Sequence, residues 1–248
     1  MKIHFPTLSS QLLQSFVLFV SGVILAILPV QAELNTKFIS PPFTPNASII
    51  GTEGWEMLYG PDAPIYNDQG QALLIASPVS EATQPTVLDL KTGIKNTVYG
   101  EISTPTVQIK ASFSIAFAKP YHFSGGLTFW LGGSVPAASP VQFGFDYGEN
   151  GGLYCRAGEE KLTILKREEI APLSPYSFTI IINRDNSTAR ATITGQKDDG
   201  SPFTYESPEI SISNKYDLNA IDRGLYIFNN RPNQVESYID SARVASGP

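Results

Sequence analysis

The chain has 248 residues, 42% hydrophobic and 16% charged, with 19 prolines, 20 glycines and a formal net charge of −6. So few charges with so many turn formers suit a loop-rich all-β protein better than a helical one. The acidic balance argues against a nucleic-acid partner, whose phosphates call for a basic patch, but leaves room for an anionic glycan met through one local cationic cleft.

Residues 1–32 have the organisation of a secretory signal peptide. Lys2 gives a positive start, residues 16–28 form an apolar core, and Val30-Gln31-Ala32 reads as a small-x-small cleavage site. That core is too short for an ordinary membrane span, the alternative being an uncleaved N-terminal anchor. Glu33, not a cysteine, stands directly after the cleavage site, which argues against a lipoprotein. The expected product is exported and soluble: periplasmic, held at the cell surface or secreted. Cys155 is the only cysteine, so no intramolecular disulfide forms and it reads as a small buried hydrophobe. The remaining chain is long enough to bury a core of its own.

Residues 33–47, with Pro41, Pro42 and Pro45, read as a leader that either lies along the fold or stays mobile. The domain proper is placed at residues 48–248. Gly51 and Gly54 interrupt any helix at its start, and Trp55 is a large anchor for the first packed layer. Short strands are expected at 71–76 and 86–90, with Pro78 and Pro85 punctuating the loop between them. Residues 107–117 alternate, with Val107, Ile109, Ala111, Phe113, Ile115 and Phe117 on one face. Further strands are expected at 126–132, 141–147, 152–156 and 161–165.

The clearest signal is a hairpin over residues 176–195. Phe178-Thr-Ile-Ile-Ile182 is apolar and β-branched, and the returning arm sets Ala189, Ala191 and Ile193 against Arg190, Thr192 and Thr194. Its polar tip, residues 183–187, fits a longer hairpin loop. Strands at 203–206, 209–213, 224–229 and 238–244 complete about a dozen, with no amphipathic helix. The fold class predicted is all-β: a two-sheet antiparallel jelly-roll sandwich in one domain.

Several segments carry a family resemblance. Tyr226-Ile-Phe-Asn-Asn230 with Ser237-Tyr-Ile-Asp-Ser-Ala-Arg-Val244, and likewise Gly126-Leu-Thr-Phe-Trp-Leu-Gly132, Phe178-Thr-Ile-Ile-Ile-Asn183 and Thr192-Ile-Thr-Gly195, resemble strands of exported bacterial concanavalin A-like (laminin G-like) sandwiches. The resemblance implies the fold of lectins, carbohydrate-binding modules, glucanases and polysaccharide lyases, with ligand on the concave sheet face or at the loop rim. It also implies, for some members, a structural calcium ion held in part by an aspartate of the closing strand, which here is Asp240. Calcium takes several oxygen ligands; taken alone, Asp240 reads as a carboxylate capping loop backbone.

Residue types restrict the chemistry. His122 is the only histidine beyond residue 4, and with Cys155 it falls short of a zinc set. No nucleophile-elbow sequence is present. Glycoside hydrolysis needs two placed carboxylates, and glucanases of the resembled fold carry Glu-x-Asp-x-(x)-Glu, which does not occur here. Glu159/Glu160, Glu168/Glu169 and Asp198/Asp199 are adjacent and read as solvated turns, leaving Asp146 and Glu149 as acidic neighbours of an aromatic strand end. Tyr154-Cys-Arg-Ala-Gly158 resembles the Tyr-Phe-Lys-Ala-Gly strand of alginate lyases, and Gln108-Ile-Lys110 their Gln-Ile-His strand with lysine for histidine. β-Elimination needs a proton acceptor and a group neutralising the uronate carboxylate, roles open to Tyr154 and Arg156.

A binding module needs less: aromatic platforms and a few polar groups on a rigid sheet. Trp55, Tyr121, Trp130, Tyr147 and Tyr154 are available, and sugar stacking requires Trp130 or Tyr147 to be exposed on the concave side. The expectation is an exported, non-enzymatic module that binds carbohydrate or mediates cell-surface contacts through Trp130, Tyr147, Tyr154, Arg156 and Asp146. A divergent lyase or glycosidase is the second reading, and a purely structural envelope protein the third.

Overall fold

A computed structural model describes residues 33–39, 41–59, 65–66, 69–75, 91–97, 102, 104–117, 126–132, 139–146, 151–230 and 235–247. The signal-peptide reading of residues 1–32, the strand expected at 86–90, and Tyr121, His122, Tyr147 and Glu149 lie outside the described residues.

The strands in chain order are β1 (Leu34–Lys37), β2 (Trp55–Tyr59), β3 (Ile65–Tyr66), β4 (Ala72–Ile75), β5 (Lys91–Asn96), β6 (Thr106–Phe117), β7 (Leu127–Leu131) and β8 (Val141–Asp146). They continue with β9 (Gly152–Ala157), β10 (Glu160–Lys166), β11 (Tyr176–Asn183), β12 (Thr188–Gln196), β13 (Pro202–Glu206), β14 (Ile210–Ser211), β15 (Leu225–Asn230) and β16 (Val235–Ser246). Two short 3-10 turns, Arg167–Glu169 and Leu218–Arg223, are the helical elements among the described residues. None of them is long and apolar enough to cross a membrane.

The strands form two antiparallel sheets. The nine-stranded sheet runs β13-β12-β11-β6-β16-β4-β3, with β1 added beside β16 and β14 beside β12. The seven-stranded sheet runs β10-β9-β8-β7-β15-β5-β2. Period-two alternation turns one face of each toward a shared core. From the nine-stranded sheet come Val107, Ile109, Phe113, Phe178, Ile180, Ile182 and Ile193; from the seven-stranded sheet come Leu127, Phe129, Leu131, Phe143, Phe145, Leu153 and Ile227. Four rings knit the layers together: Phe113 and Phe178 from one sheet, Phe129 and Phe143 from the other, with centroid separations of 4.9–5.5 Å. Cys155 sits in this core at 2% exposure, and burial pushes its thiol up to about 11.

The hairpin forms as the alternation predicts. Asn183 pairs with Thr188, so the connection is residues 184–187, with the Asn183 side chain accepting from the Asn186 amide at 3.1 Å. Residues 33–47 lie along the fold: β1 pairs with Ser241–Val244 of β16, and Phe38 and Phe43 are buried beside Trp55. The sandwich thus begins ahead of Ser48. In β16, Ile239 pairs with Phe113 and Ser241 with Ser112, leaving Asp240 as the extra residue of a bulge. The bulge changes the inward parity, so that Ile239 before it and Ala242 and Val244 after it all reach the core.

Candidate ligand-binding face

The inward residues of β7, β8, β9 and β15 are spoken for by the core, so chemistry on the seven-stranded sheet must come from the alternate positions. Strand register aligns these into rows. One row crosses all seven strands as Glu56, Lys95, Tyr226, Trp130, Gln142, Arg156 and Lys161. The next carries Gly93, Phe228, Thr128, Gly144, Tyr154 and Thr163. At about 4.8 Å between strands, the longer row spans about 29 Å.

Glycines in the second row let large rings lie down on the sheet. Tyr154 on β9 reaches Thr128 on β7, with the two hydroxyl oxygens 3.0 Å apart, although β8 runs between them. The residue of β8 in that gap is Gly144. With no side chain there, the phenol ring can cross the strand. Gly144 also has φ +142°, and a Cβ on it would fall 2.1 Å from the Leu127 carbonyl oxygen. Burial pushes the Tyr154 hydroxyl up to about 12, against the opposing pull of its bond to Thr128.

Beside Tyr154 lies a small aromatic layer separate from the core. Trp130 stacks on Phe228 at 3.7 Å and on Tyr226 at 5.6 Å, with Leu58 packed against them. Trp130 is only 1% exposed and Tyr154 6%. The requirement that Trp130 offer an open stacking surface is therefore not met: the ring is buried and stacks on two rings of β15. Such a layer adds rigidity and apolar burial to the sheet.

The charged groups occupy the flanks. Lys95 pairs with Glu56 at 2.9 Å. Lys161 pairs with Asp146 at 2.7 Å, and its ammonium lies 4.8 Å from the centroid of the Tyr154 ring, within cation–π range. Arg156, between Gln142 and Lys161 in the row, differs from both lysines: its Nε is shut off from solvent and has no hydrogen-bond partner.

Of the predicted site residues, Trp130, Tyr154, Arg156 and Asp146 share this sheet, and Tyr147 is not among the described residues. Sequence reasoning missed Thr128, Gln142, Gly144, Lys161, Tyr226 and Phe228. Lys110 faces away on the nine-stranded sheet, where it is exposed between Thr179 and Arg243. Asp240 accepts from the Gln71 amide nitrogen at 2.7 Å and the Ser112 hydroxyl at 3.2 Å. Among the described residues no three His, Cys, Asp or Glu side chains converge as metal ligands. Asp240 is thus held by two side-chain donors, one from Gln71 beside β4 and one from Ser112 of β6. The adjacent acidic pairs hold surface bonds, as Glu159 with Lys215, Glu168 with Arg167, Glu169 with Lys197 and Asp199 with Ser201. A separate polar cleft of about 850 Å³ opens at the hairpin tip, lined by Arg184, Asp185, Tyr216 and Asp217 among others.

No protein-family model and no curated protein sequence matches the chain. Solved structures do. A metal-free form of lectin I-B4 from Griffonia simplicifolia superposes with TM-score 0.54 and 12% identity, over 87% of this chain and 100% of the lectin. Peanut lectin with a nonapeptide gives 0.52 and 12%, over 87% and 97%. Ulex europaeus lectin I, in complex with the methyl glycoside of α-L-fucose, gives 0.52 and 13%, over 86% and 98%. Identity this low speaks for architecture alone. Taken with the two antiparallel sheets, it establishes the fold: this chain is a concanavalin A-like jelly-roll sandwich, of the kind found in the legume lectins.

Proposed function

We propose that this chain is an exported glycan-binding module whose ligand lies on the outer face of the seven-stranded sheet, toward its β8–β9–β10 side. The observation that carries this reading is the pairing, on one sheet face, of a rigid aromatic layer (Trp130, Tyr226, Phe228, Tyr154) with a polar flank of Asp146, Arg156, Lys161 and Thr163. Hydroxyl-rich ligands need directional donors and acceptors held without freedom to collapse onto one another, and rings packed beneath such groups provide that. With Trp130 at 1% exposure, the rings act as a floor and the polar flank makes the contacts. The lectin names of the structural neighbours agree with this by analogy of fold.

The test is affinity electrophoresis of the full chain through gels containing a panel of plant, algal and bacterial polysaccharides. At least one polymer is expected to retard the protein, and the double variant Arg156→Ala/Lys161→Ala to run unretarded. Free migration through every gel, or equal retardation of the variant, overturns the reading.

A lyase reading has one observation in its favour: Tyr154 and Arg156 project from the same face of β9. With its hydroxyl at about 12, Tyr154 is protonated near neutral pH, which suits a proton donor to a leaving group and not a resting-state base. Ultraviolet-absorbing unsaturated products from a uronate polymer, abolished by Tyr154→Phe, would promote it.

A further inference from the structure

The charges on the outer face of the seven-stranded sheet do not balance locally. Lys95 is answered by Glu56 and Lys161 by Asp146. Among the described residues Arg156 has no such partner, and its Nε is buried without a hydrogen bond. A guanidinium carries five N–H donors and stays charged at any physiological pH. Leaving one of those donors dry and unpaired is costly, and more so for a charged group than a neutral one. Its row neighbours offer no anion: Gln142 is neutral and Lys161 is itself cationic. The Tyr154 hydroxyl nearby keeps its proton and brings no charge. Arg156 is part-exposed as a residue, so the site is reachable from solvent along the rest of the side chain.

We propose that Arg156 is the receptor for an oxyanion borne by the sugar, so that the ligand of this face is an acidic glycan, carboxylated or sulfated, and not a neutral one. This rests on the glycan-binding reading above. A planar guanidinium pairs with two oxygens of one carboxylate or sulfate at once. The protein as a whole is acidic, with net charge −6, so long-range attraction does not favour a polyanion. Recognition must then be local, and Arg156 with the Asp146-tethered Lys161 beside it is where this face supplies it.

The experiment measures binding of the full chain to two matched pairs: polygalacturonate against its methyl ester, and dextran sulfate against dextran. Binding to the charged member of at least one pair is expected to be tenfold or more tighter than to its neutral partner, and to weaken as salt is raised. Which pair responds tells carboxylate from sulfate. Arg156→Gln should lower affinity for that charged polymer by about 10- to 100-fold, the size of a lost charge-assisted hydrogen-bond pair, with its circular dichroism unchanged. Asp146→Asn releases Lys161 and should raise the same affinity by about two- to fivefold, as expected for one partly exposed charge. Opposite signs from neighbouring variants cannot arise from a common loss of folding. Equal binding of charged and neutral members, or undiminished affinity in a folded Arg156→Gln, overturns the proposal while the glycan reading stands. Failure to bind all four polymers and the wider panel overturns both.

Discussion

The two sheets of this sandwich share one core but differ in what they turn away from it. On the nine-stranded sheet, register lines up Thr204, Thr194, Ser177, Ser112 and Ser241 in one row, and Thr192, Thr179, Lys110 and Arg243 in the next. These are exposed or part-exposed hydroxyls and charges, the ordinary solvated side of an antiparallel sheet. The corresponding positions of the seven-stranded sheet hold Trp130, Tyr226, Phe228 and Tyr154, none more than 7% exposed. Alternation alone asks only that these positions tolerate water. A solvated sheet has no need of a stacked tryptophan or of a glycine that lets a tyrosine cross a strand. The aromatic layer is an addition to the fold.

The sharpest way to break the contrast is Gly144→Val. A side chain there must displace either the Leu127 carbonyl, 2.1 Å from the new Cβ, or the ring of Tyr154, at a backbone φ of +142° that valine disfavours. A loss of more than about 4 kcal/mol is expected, enough to unfold a marginal domain. Soluble yield and a urea melt decide it, and a wild-type midpoint would show that Tyr154 does not need the gap.

Trp130→Ala ranks next. It removes a ring stacked on both Phe228 and Tyr226, and about 3–5 kcal/mol is expected from the cavity and lost transfer energy, read as a lowered denaturation midpoint. A change below about 1 kcal/mol would mean that the layer is surface decoration.

Alkaline pH reads the buried phenols of the molecule, among them the one under the candidate face. Burial holds the hydroxyls of Tyr154 and Tyr176 up to about 12, whereas an unfolded tyrosine titrates near 10. Below pH 10 both folded and unfolded chains keep these protons. Between about 10 and about 12 only the folded chain does, so rising pH favours unfolding through that window by about 1.4 kcal/mol per pH unit for each such group. Urea midpoints should hold to pH 10 and then fall, and Tyr154→Phe should make the decline shallower. An equal slope in that variant would place the Tyr154 hydroxyl in water.

What the sequence made legible follows from the range of its signals. The hairpin and β6 could be read because their alternation is local and written in β-branched and aromatic residues. β5 could not: in Lys91-Thr-Gly-Ile-Lys-Asn96 only Ile94 looks like a core residue, although Asn96 is also fully buried, bonded to the Glu53 carbonyl at 2.9 Å. Residues 33–47 looked like a leader because β1 has four residues and gains its meaning from β16, some two hundred positions later. The candidate face was legible only in pieces. Trp130, Tyr154, Arg156 and Asp146 stand out as residue types, but alternation gives no register between strands. Tyr226 beside Trp130, and Gly144 beneath Tyr154, are facts of pairing across the sheet.

The smallest effect is the most discriminating when it is measured as a matched pair. Threonine and valine have nearly the same shape and the same stiffness at χ1, so Thr→Val in a strand removes a hydroxyl and little else. At Thr128 the lost hydroxyl is the partner of the Tyr154 phenol, which is 6% exposed and has no water to turn to. Thr128→Val should therefore cost about 1–3 kcal/mol, the penalty for an unpaired buried polar group. At Thr192, exposed on the nine-stranded sheet between Thr179 and Glu206, the hydroxyl is already solvated, and Thr192→Val should stay within about 0.5 kcal/mol of wild type. Equal costs at the two positions would mean that both outer faces are wet alike and that neither is built as a binding face. A cost confined to Thr128 would show that the aromatic layer is packed in solution as it is in the structure, with the polar flank of Arg156 and Lys161 held rigidly beside it.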